Sequence, residues 1–375
     1  MLHGKWLSWI EIDKKALLKN ISSFRQLIGS EVRFLAVVKG NAYGHGIGEV
    51  AKVIKDKVDW FGVNNLEEAK ILRQKGIKKP ILILGYTPTP DLLEVVKNGF
   101  RQVVYNRQTA IQLVKLSSYK PKIHLKIEIG TNRQGVENDE LLAIAKILMK
   151  NPKVEIEGAY THFANVEESE DFSFPKRQIE RFRKQVGILE KAGIKIPIKH
   201  TACTAATILL PEGYFNMVRV GIGLYGLWPS ELVKKLAQKR KLKFNLKPVL
   251  SWKTRIAQIK KVKKGETIGY GRTFKVKGDL KIAILPVGYY DGYDRHLSNV
   301  GRVLIRSKFA PLVGRVMMNM IIVDVTQVSN VRVEDEVILI GKQGGKEITA
   351  EEMAEKIGTI NYEVVTRINP LPPRF

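Results

Sequence analysis

The sequence predicts an α/β protein, an N-terminal (β/α)8, TIM-like barrel followed by a C-terminal mostly β domain. Three observations carry that prediction. Eight short apolar runs alternate with helix-patterned segments between residues 33 and 226. From Pro248 onward the pattern changes to alternating, β-rich stretches. The 375 residues also exceed one ordinary core, so a large domain with a smaller one is expected.

The elements follow in order. "WIEID" (9–13) reads as a strand ahead of the barrel, able to pair with the second domain. The eight barrel runs are "RFLAVVK" (33–39), "WFGVNN" (60–65), "ILILG" (81–85), "RQVVY" (101–105), "IHLKIEI" (123–129), "VEIEGAYTHF" (154–163), "IKHTAC" (198–203) and "MVRVGIGLYG" (217–226). In "GIGEVAKVIKDK", Ile47, Val50, Ala51 and Ile54 share one helical face. In "SFPKRQIERFRKQVGILEKAG", Pro175 suits a first turn, Ile179, Phe182, Val186 and Leu189 share a face, and Gly193 can end the helix. Parallel strands joined by helical crossovers close naturally into a barrel. An open doubly wound sheet competes, but no G-x-G-x-x-G follows the first strand.

This gives a barrel domain over 1–240, whose first strand (about 7–13) can join the other domain, and a β domain over 241–375. The basic run "VKKLAQKRKLKFNLK" (233–247) reads as a solvated helix leading into a linker. Beyond it, "VLSWKTRIAQI", "KIAILPVGY", "RVLI", "PLVGRV", "MIIVDV" and "EVILIG" read as strands, punctuated by turns such as "KKGE" and "GKQGG". One helix is expected at 349–357, where Thr349 and Glu352 have capping-box spacing.

Composition narrows the function. An apolar content of 44% favours a packed globular chain over disorder. One cysteine, Cys203, excludes an internal disulfide and fits a reducing cytoplasm. No apolar run is long enough to span a membrane, and "MLHGKWLSWIEID" lacks a signal peptide's apolar core. The net charge of +26 raises nucleic-acid binding. The lysines are scattered, however, and no nucleic-acid motif accompanies them, so no nucleic-acid partner is expected.

Barrel active sites lie where strands end. Strand one ends at Lys39, strand five runs into Arg133, and strand six ends at His162. Strand seven ends near Cys203 and Thr204; strand eight carries Arg219 and then Gly221 and Ile222. Tyr43 and Tyr105 follow strands one and four. Cations, hydroxyls and glycine-flanked amides on one rim suit an anionic ligand. A lysine ordinarily lays its stem along the surface. Lys39, placed after "LAVV", is instead partly desolvated, easier to deprotonate and able to bond a carbonyl. His3, His45, His124, His200 and His296 lack ligand spacing with carboxylates, so no metal site is expected. Cys203 reads as a small filler.

With Lys39 in "AVVKGNAYGHG", Arg219 in "MVRVGIGLYG" and Tyr270 in "ETIGYGRTF", the chain resembles the alanine racemases. The similarity continues through "THFAN", "LPVGYYDGYDRHLSN", "GRVMMNM" and "NYEVVTRI", in order and over nearly the whole length. The resemblance implies a pyridoxal 5'-phosphate (PLP) enzyme of fold type III that interconverts L- and D-alanine for peptidoglycan. It implies a cytoplasmic homodimer with shared active sites, acting on a small amino acid.

By motif, Lys39 looks like the lysine bonded to PLP, with Tyr43, Tyr362, Thr204, Gly221 and Ile222 around its phosphate. Arg219 looks like the partner of the ring nitrogen; as a permanent donor it would leave that nitrogen unprotonated and the ring a weaker electron sink. Racemisation needs acid–base groups on two faces. Lys39 looks like the base for the D-substrate and Tyr270, from the other subunit, like the base for the L-substrate. A free phenol titrates near about 10, so Tyr270 needs help, and His162 beside Arg219 could relay positive charge toward it. Arg133 and the Met318 amide look like carboxylate contacts. Lys126 matches a lysine that is carbamylated in several members; a plain interior lysine is the equal alternative. Tyr289, Arg295, Arg315 and Ile360 match the family's narrow entrance.

The sequence departs from the family at four places. Gly40 stands where alanine is usual. Glu128 and Asn132 replace an aspartate and small residues. Cys203 and Thr204 stand where asparagine and serine are common, and Met317 and Asn319 replace cysteine and aspartate. Asn319 removes a charge beside the carboxylate-binding amide, which opens a racemase of the same fold acting on serine or another amino acid. A barrel-type PLP decarboxylase would need a β-domain cysteine, and there is none. A non-catalytic PLP carrier would lack residues 248–375.

Overall fold

The computed structural model describes residues 6–116 and 118–375. The chain divides into two compact units. One comprises Lys14–Ala42 and Val50–Pro248; the other comprises the segment ending at Asp13, Tyr43–Glu49 and Val249–Phe375.

The first strand, β1 (Ser8–Ile12), belongs to the second unit. The first unit holds eight strands: β2 (Arg33–Val37), β3 (Trp60–Val63), β4 (Ile81–Ile83), β5 (Arg101–Val104), β6 (Lys122–Lys126), β7 (Glu155–Tyr160), β8 (Ile198–His200) and β9 (Met217–Val220). All pair in parallel, in the order β8-β7-β6-β5-β4-β3-β2-β9. The ladder is interrupted only between β8 and β9. There, single bonds from Asn216 N–H to Lys199 O (3.3 Å) and from Arg219 N–H to Ala202 O (3.0 Å) bridge the seam. The sheet is a nearly closed barrel.

The strands are shorter than the apolar runs that announced them. β2 stops at Val37, and Lys39 opens a short helical turn, Lys39–Tyr43, instead of ending a strand. β7 and β8 likewise stop at Tyr160 and His200, leaving His162 and Thr204 in the segments beyond. Apolar character persists past each strand because the rim loops are themselves packed: Val38, Ile127, Ile129 and Ala202 are all buried. Arg219 and Lys126 lie within strands.

The crossovers are amphipathic helices. Ile47–Ile54 buries Ile47, Val50, Ala51 and Ile54. Ser173–Lys191 buries Ile179, Phe182, Val186 and Leu189, carries Pro175 in its first turn, and is followed by Gly193 at φ +78°. Phe182, Val186 and Leu189 enter one core with Leu125, Ile127 and Ile144. Gly158 on β7 is required by proximity: a Cβ there would lie 2.7 Å from His124 Cε1 and Nδ1 and 2.8 Å from Ile198 O.

In the second unit, β1 pairs with β10 (Leu250–Arg255) in antiparallel register, Ile10 opposite Trp252. The remaining strands are β11 (Gln258–Val262), β12 (Thr267–Ile268), β13 (Phe274–Lys275), β14 (Leu280–Leu285), β15 (Arg302–Ile305), β16 (Lys308–Pro311), β17 (Ile321–Asp324), β18 (Glu336–Gln343) and β19 (Lys346–Ile348). They form a sheet β1-β10-β18-β15-β16 with β19 on β18, a sheet β11-β14-β17, and the pair β12-β13. The C-terminal segment joins β1: Ile10 N–H donates to Pro373 O and Ile12 N–H to Phe375 O, both at 2.9 Å.

Two helices occur where one was expected, Ala350–Ile357 and Asn361–Thr366. The second is too short for its periodicity to show and has no side-chain cap. The expected capping box is half made. Thr349 Oγ1 accepts from Glu352 N–H at 3.0 Å, but the Glu352 carboxylate turns away to Arg302 at 2.7 and 2.9 Å. Among the described residues, no helix is long and apolar enough to cross a membrane.

Gly158→Ala should push β6 and β7 apart at His124, destabilising the protein by about 1–3 kcal/mol. A lowered urea midpoint with an unchanged slope would show it.

Candidate active site

The barrel mouth is organised around Arg219, which is only 4% exposed. Its Nη1 donates to His200 Nδ1 (3.0 Å) and His200 O (2.9 Å). Its Nη2 donates to Thr161 O (2.6 Å) and Thr201 O (2.9 Å), with His162 Nδ1 further off at 3.5 Å. A guanidinium has five N–H donors. Four are thus engaged within the barrel, and the Nε–H is the one without an acceptor among the described residues. Burial lowers the Arg219 pKa to about 10, so it remains a cation at neutral pH. Tyr160, which the sequence reading missed, lies beneath it, its ring 5.1 Å from the guanidinium carbon and stacked on His200.

Lys39 is exposed at the rim, yet protein crowds its ammonium. That crowding, then the charge of Arg133, holds its pKa below the ordinary value; Arg219 adds to the effect and Glu68 opposes it. The turn after it is left-handed: Gly40, Asn41, Ala42 and Tyr43 have φ of +61°, +53°, +56° and +52°. Gly40 is therefore the best residue for its place, where alanine would bring steric cost. Glu68, also missed, pins this turn. Its carboxylate accepts from Gly40 N–H (2.6 Å), Asn41 N–H (3.3 Å) and Asn64 N–H (2.8 Å).

Lys126, on β6, is buried beneath the rim. Its Nζ donates to Gln134 Oε1 at 2.9 Å and lies 5.5 Å from the Tyr160 ring centre. Burial, then Arg133, Arg219 and Lys39, lower its pKa to about 8. Glu128 explains its own unusual presence. It accepts from the Ile129, Gly130 and Thr131 amides, closing the loop that bears Arg133, and Thr131 Oγ1 ties that loop to His162 O at 2.6 Å. Burial would raise the Glu128 pKa, but the amides of Asn132, Gly130, Thr131 and Ile129 together hold it below the ordinary carboxylate range. Asn132, at φ +51°, suits a left-handed corner. Burial and then Arg219 drive the His162 pKa well down. The imidazole is neutral, so it can polarise a neighbour but holds no positive charge to relay.

The remaining predicted residues fall in one unit or the other. Thr204 Oγ1 accepts from Gly221 N–H at 3.0 Å, next to Ile222 at the start of a short helix. Cys203 is half-buried, and desolvation pushes its thiol up to about 11, which suits a filler. In the second unit, Tyr43 and Tyr362 face each other with ring centres 6.1 Å apart. Tyr270 is 72% exposed. It sits between Gly269 and Gly271, and a Cβ on Gly271 would lie 3.1 Å from the Arg315 guanidinium. Residues 289–290 and 317–318 meet through paired backbone bonds, Tyr289 N–H to Met317 O and Tyr290 N–H to Met318 O, both 3.0 Å. Tyr289, Arg295 and Arg367 line a cavity of about 460 Å³ with Asp294 and His296. Met318, Asn319 and Ile360 are exposed.

These features fit PLP. A buried permanent cation keeps one donor open, a lysine at the rim has its pKa lowered by burial and by Arg133, and a hydroxyl and backbone amides gather at the mouth of the last strand. The fold and site define a barrel enzyme of the pyridoxal-phosphate type.

Comparison with known proteins makes this specific. Residues 12–229 match the alanine racemase N-terminal domain and residues 249–375 the alanine racemase C-terminal domain. Alanine racemase 1 of Caldanaerobacter subterraneus subsp. tengcongensis is 41% identical over 370 residues, 97% of this chain and 93% of that protein. The crystal structure of alanine racemase from Bacillus anthracis with bound L-Ala-P superposes with a TM-score of 0.92 at 37% identity, covering 98% of this chain and 94% of that one. Histidine racemase from Leuconostoc mesenteroides subsp. sake superposes with a TM-score of 0.89 at 25% identity, covering 99% and 98%. The chain belongs to the alanine racemase family.

Because the Glu128 pKa is depressed in the fold, its contribution is full above the unfolded carboxylate pKa. It is lost as pH falls through the folded value. Glu128→Ala should cost about 1–3 kcal/mol at neutral pH, with the gap to the parent narrowing in acid. Denaturant melts across that range measure it.

Proposed function

We propose that the protein interconverts L- and D-alanine in the cytoplasm, as a PLP-dependent homodimer supplying D-alanine for peptidoglycan. The observation that carries this reading is the Arg219 guanidinium, buried, held by four acceptors and left with one donor, on the same rim as Lys39.

Lys39 would hold the cofactor by its amine and Arg219 its ring nitrogen. Thr204 Oγ1, the Gly221 and Ile222 amides and the Tyr43 and Tyr362 hydroxyls would hold its phosphate. The bound cofactor supplies a conjugated ring that spreads the charge left on the substrate Cα, and an arginine at its nitrogen keeps that sink moderate. Arg133 and the Met318 amide orient the substrate carboxylate. Lys39 Nζ takes the α-proton of D-alanine and returns one to form it; its lowered pKa favours the free amine that accepts a proton. Tyr270 Oη of the partner subunit does the same on the opposite face for L-alanine. Tyr289, Arg295, Arg315 and Ile360 restrict entry to small substrates. The neutral His162, its Nδ1 3.5 Å from Arg219 Nη2, is polarised by that cation.

The second reading is a racemase acting on a different amino acid, serine among them. It is favoured by the likeness to a histidine racemase and by the exposed, uncharged Asn319. Relative turnover of alanine, serine and histidine decides between them.

Lys39→Ala should abolish racemisation, and full retained activity would sink the mechanism. Tyr270→Phe should lower racemisation about 10²–10⁴-fold. In deuterium oxide this variant should still exchange the α-hydrogen of D-alanine, but not that of L-alanine.

Lys126, with a pKa near 8, offers free amine to carbon dioxide; the new N–C bond forms with loss of one proton. Protein equilibrated with ¹³C-bicarbonate should show a carbamate resonance that Lys126→Arg removes. Its absence leaves Lys126 as an interior lysine held by Gln134.

A further inference from the structure

Arg219 is a buried cation with no carboxylate among its hydrogen-bond partners. Isolated buried charge is costly, and the barrel interior contains its answer two side chains away. A guanidinium only donates, so His200 Nδ1, at 3.0 Å from Nη1, must be bare. The neutral imidazole then carries its hydrogen on Nε2, which lies 2.8 Å from His124 Nδ1. His124 Nδ1 is thereby bare in turn, and its hydrogen sits on Nε2, 3.5 Å from Glu157 Oε2. Glu157 is gripped by Arg101, with Nε to Oε2 at 2.9 Å and Nη2 to Oε1 at 3.1 Å.

We propose that Glu157 is a positioning residue for Arg219. Through His124 and His200 it fixes the direction of a donor chain running from the guanidinium to a remote counter-charge. The chain has one sense only, because both of its ends are fixed: one can only donate and the other, an ionised carboxylate, can only accept.

The rings are built into place. Tyr160 stacks on His200 at 4.9 Å and 12°. Trp60 meets His124 edge-on at 5.5 Å, and Arg101 covers Trp60 at 5.0 Å. Gly158 leaves the room that His124 occupies. The charged groups facing Glu157 are Arg101 on β5 and Lys122 on β6, with Glu155 on β7 engaging Lys122; the titratable His124 on β6 faces it as well. Burial lowers the pKa of both histidines, which keeps the two links neutral, while the partners of Glu157 hold it at about 2 against its own burial. The contact between His124 and Glu157 is that of an ion-pair distance, not an aligned hydrogen bond, and is the loosest link.

The consequence for catalysis rests on the reading of Arg219 as partner of the cofactor nitrogen; the direction of the chain does not. In ¹⁵N-histidine spectra of the holoenzyme, His124 and His200 should both be neutral and protonated on Nε2 between roughly pH 6 and 9. Glu157→Gln removes the counter-charge and leaves one acceptor oxygen for Arg101 and His124 to share, with a donor beside it. It should move the His200 resonances, shift the absorbance of the bound cofactor and lower kcat about tenfold or more, with KM little changed. Glu157→Asp should restore the parent tautomers and most of kcat. A wild-type His200 protonated on Nδ1, or charged, overturns the proposal. So does a folded Glu157→Gln that leaves His200 and kcat unmoved while only its melting temperature falls. If Glu157→Gln does not fold, the wild-type tautomers and Glu157→Asp decide. Correct tautomers in a protein with no racemase activity would overturn the functional reading and leave the donor chain standing.

Discussion

The burial of one permanent positive charge is the constraint on which the barrel depends. Arg219 projects from the last strand into space that an ordinary barrel fills with aliphatic side chains. Its hydrogen bonds go to carbonyls at the ends of two neighbouring strands and to an imidazole. Those carbonyls belong to residues 161, 200 and 201, where β7 and β8 run out, and His200 O accepts from Thr161 N–H as well as from the guanidinium. The same positive charge adds to what burial does to the ionisation of its neighbours. Lys39, Lys126 and His162 all lose proton affinity in its presence and that of Arg133.

The turn that follows Lys39 is the second unusual element. Four successive residues adopt left-handed backbone, three of them non-glycine. Each such residue costs on the order of 1 kcal/mol or more. Glu68 offsets part of this by accepting three amides, and Gly44, at φ +82°, lies so close to Val365 O that no larger residue fits. Strain of this kind persists where surroundings over-determine a conformation. Here it fixes the direction in which the lysine leaves its strand.

Much of this was legible in the residues. Apolar runs of the right length, spaced by amphipathic segments, gave the eight barrel strands, since a parallel sheet buried on both faces writes itself as near-continuous hydrophobics. The rim residues were legible because strand ends are where function sits. Strand ends were overestimated because packed rim loops are apolar too. The supporting groups stayed hidden for a different reason. Glu68, Gln134 and Glu157 act on residues that only folding brings near, and no local pattern distinguishes them from solvated side chains. One signal was available: His124, Lys126 and Glu128 alternate along "IHLKIEI", a polar stripe where a barrel strand should face a dry interior. The helix Asn361–Thr366 was too short to declare a period.

The chain passes between the two units after Asp13, Ala42, Glu49 and Pro248. Neither unit is a continuous stretch of sequence, and the short excursion Tyr43–Glu49 begins four residues after Lys39. In genetic terms the two units are not modules. A recombination event that exchanged everything beyond residue 248 would separate Tyr43 from Tyr362 and β1 from β10, so each half would arrive with partners it had never met. A barrel whose chain crosses to its companion before residue 50 cannot trade that companion as freely as one joined to a second domain end to end.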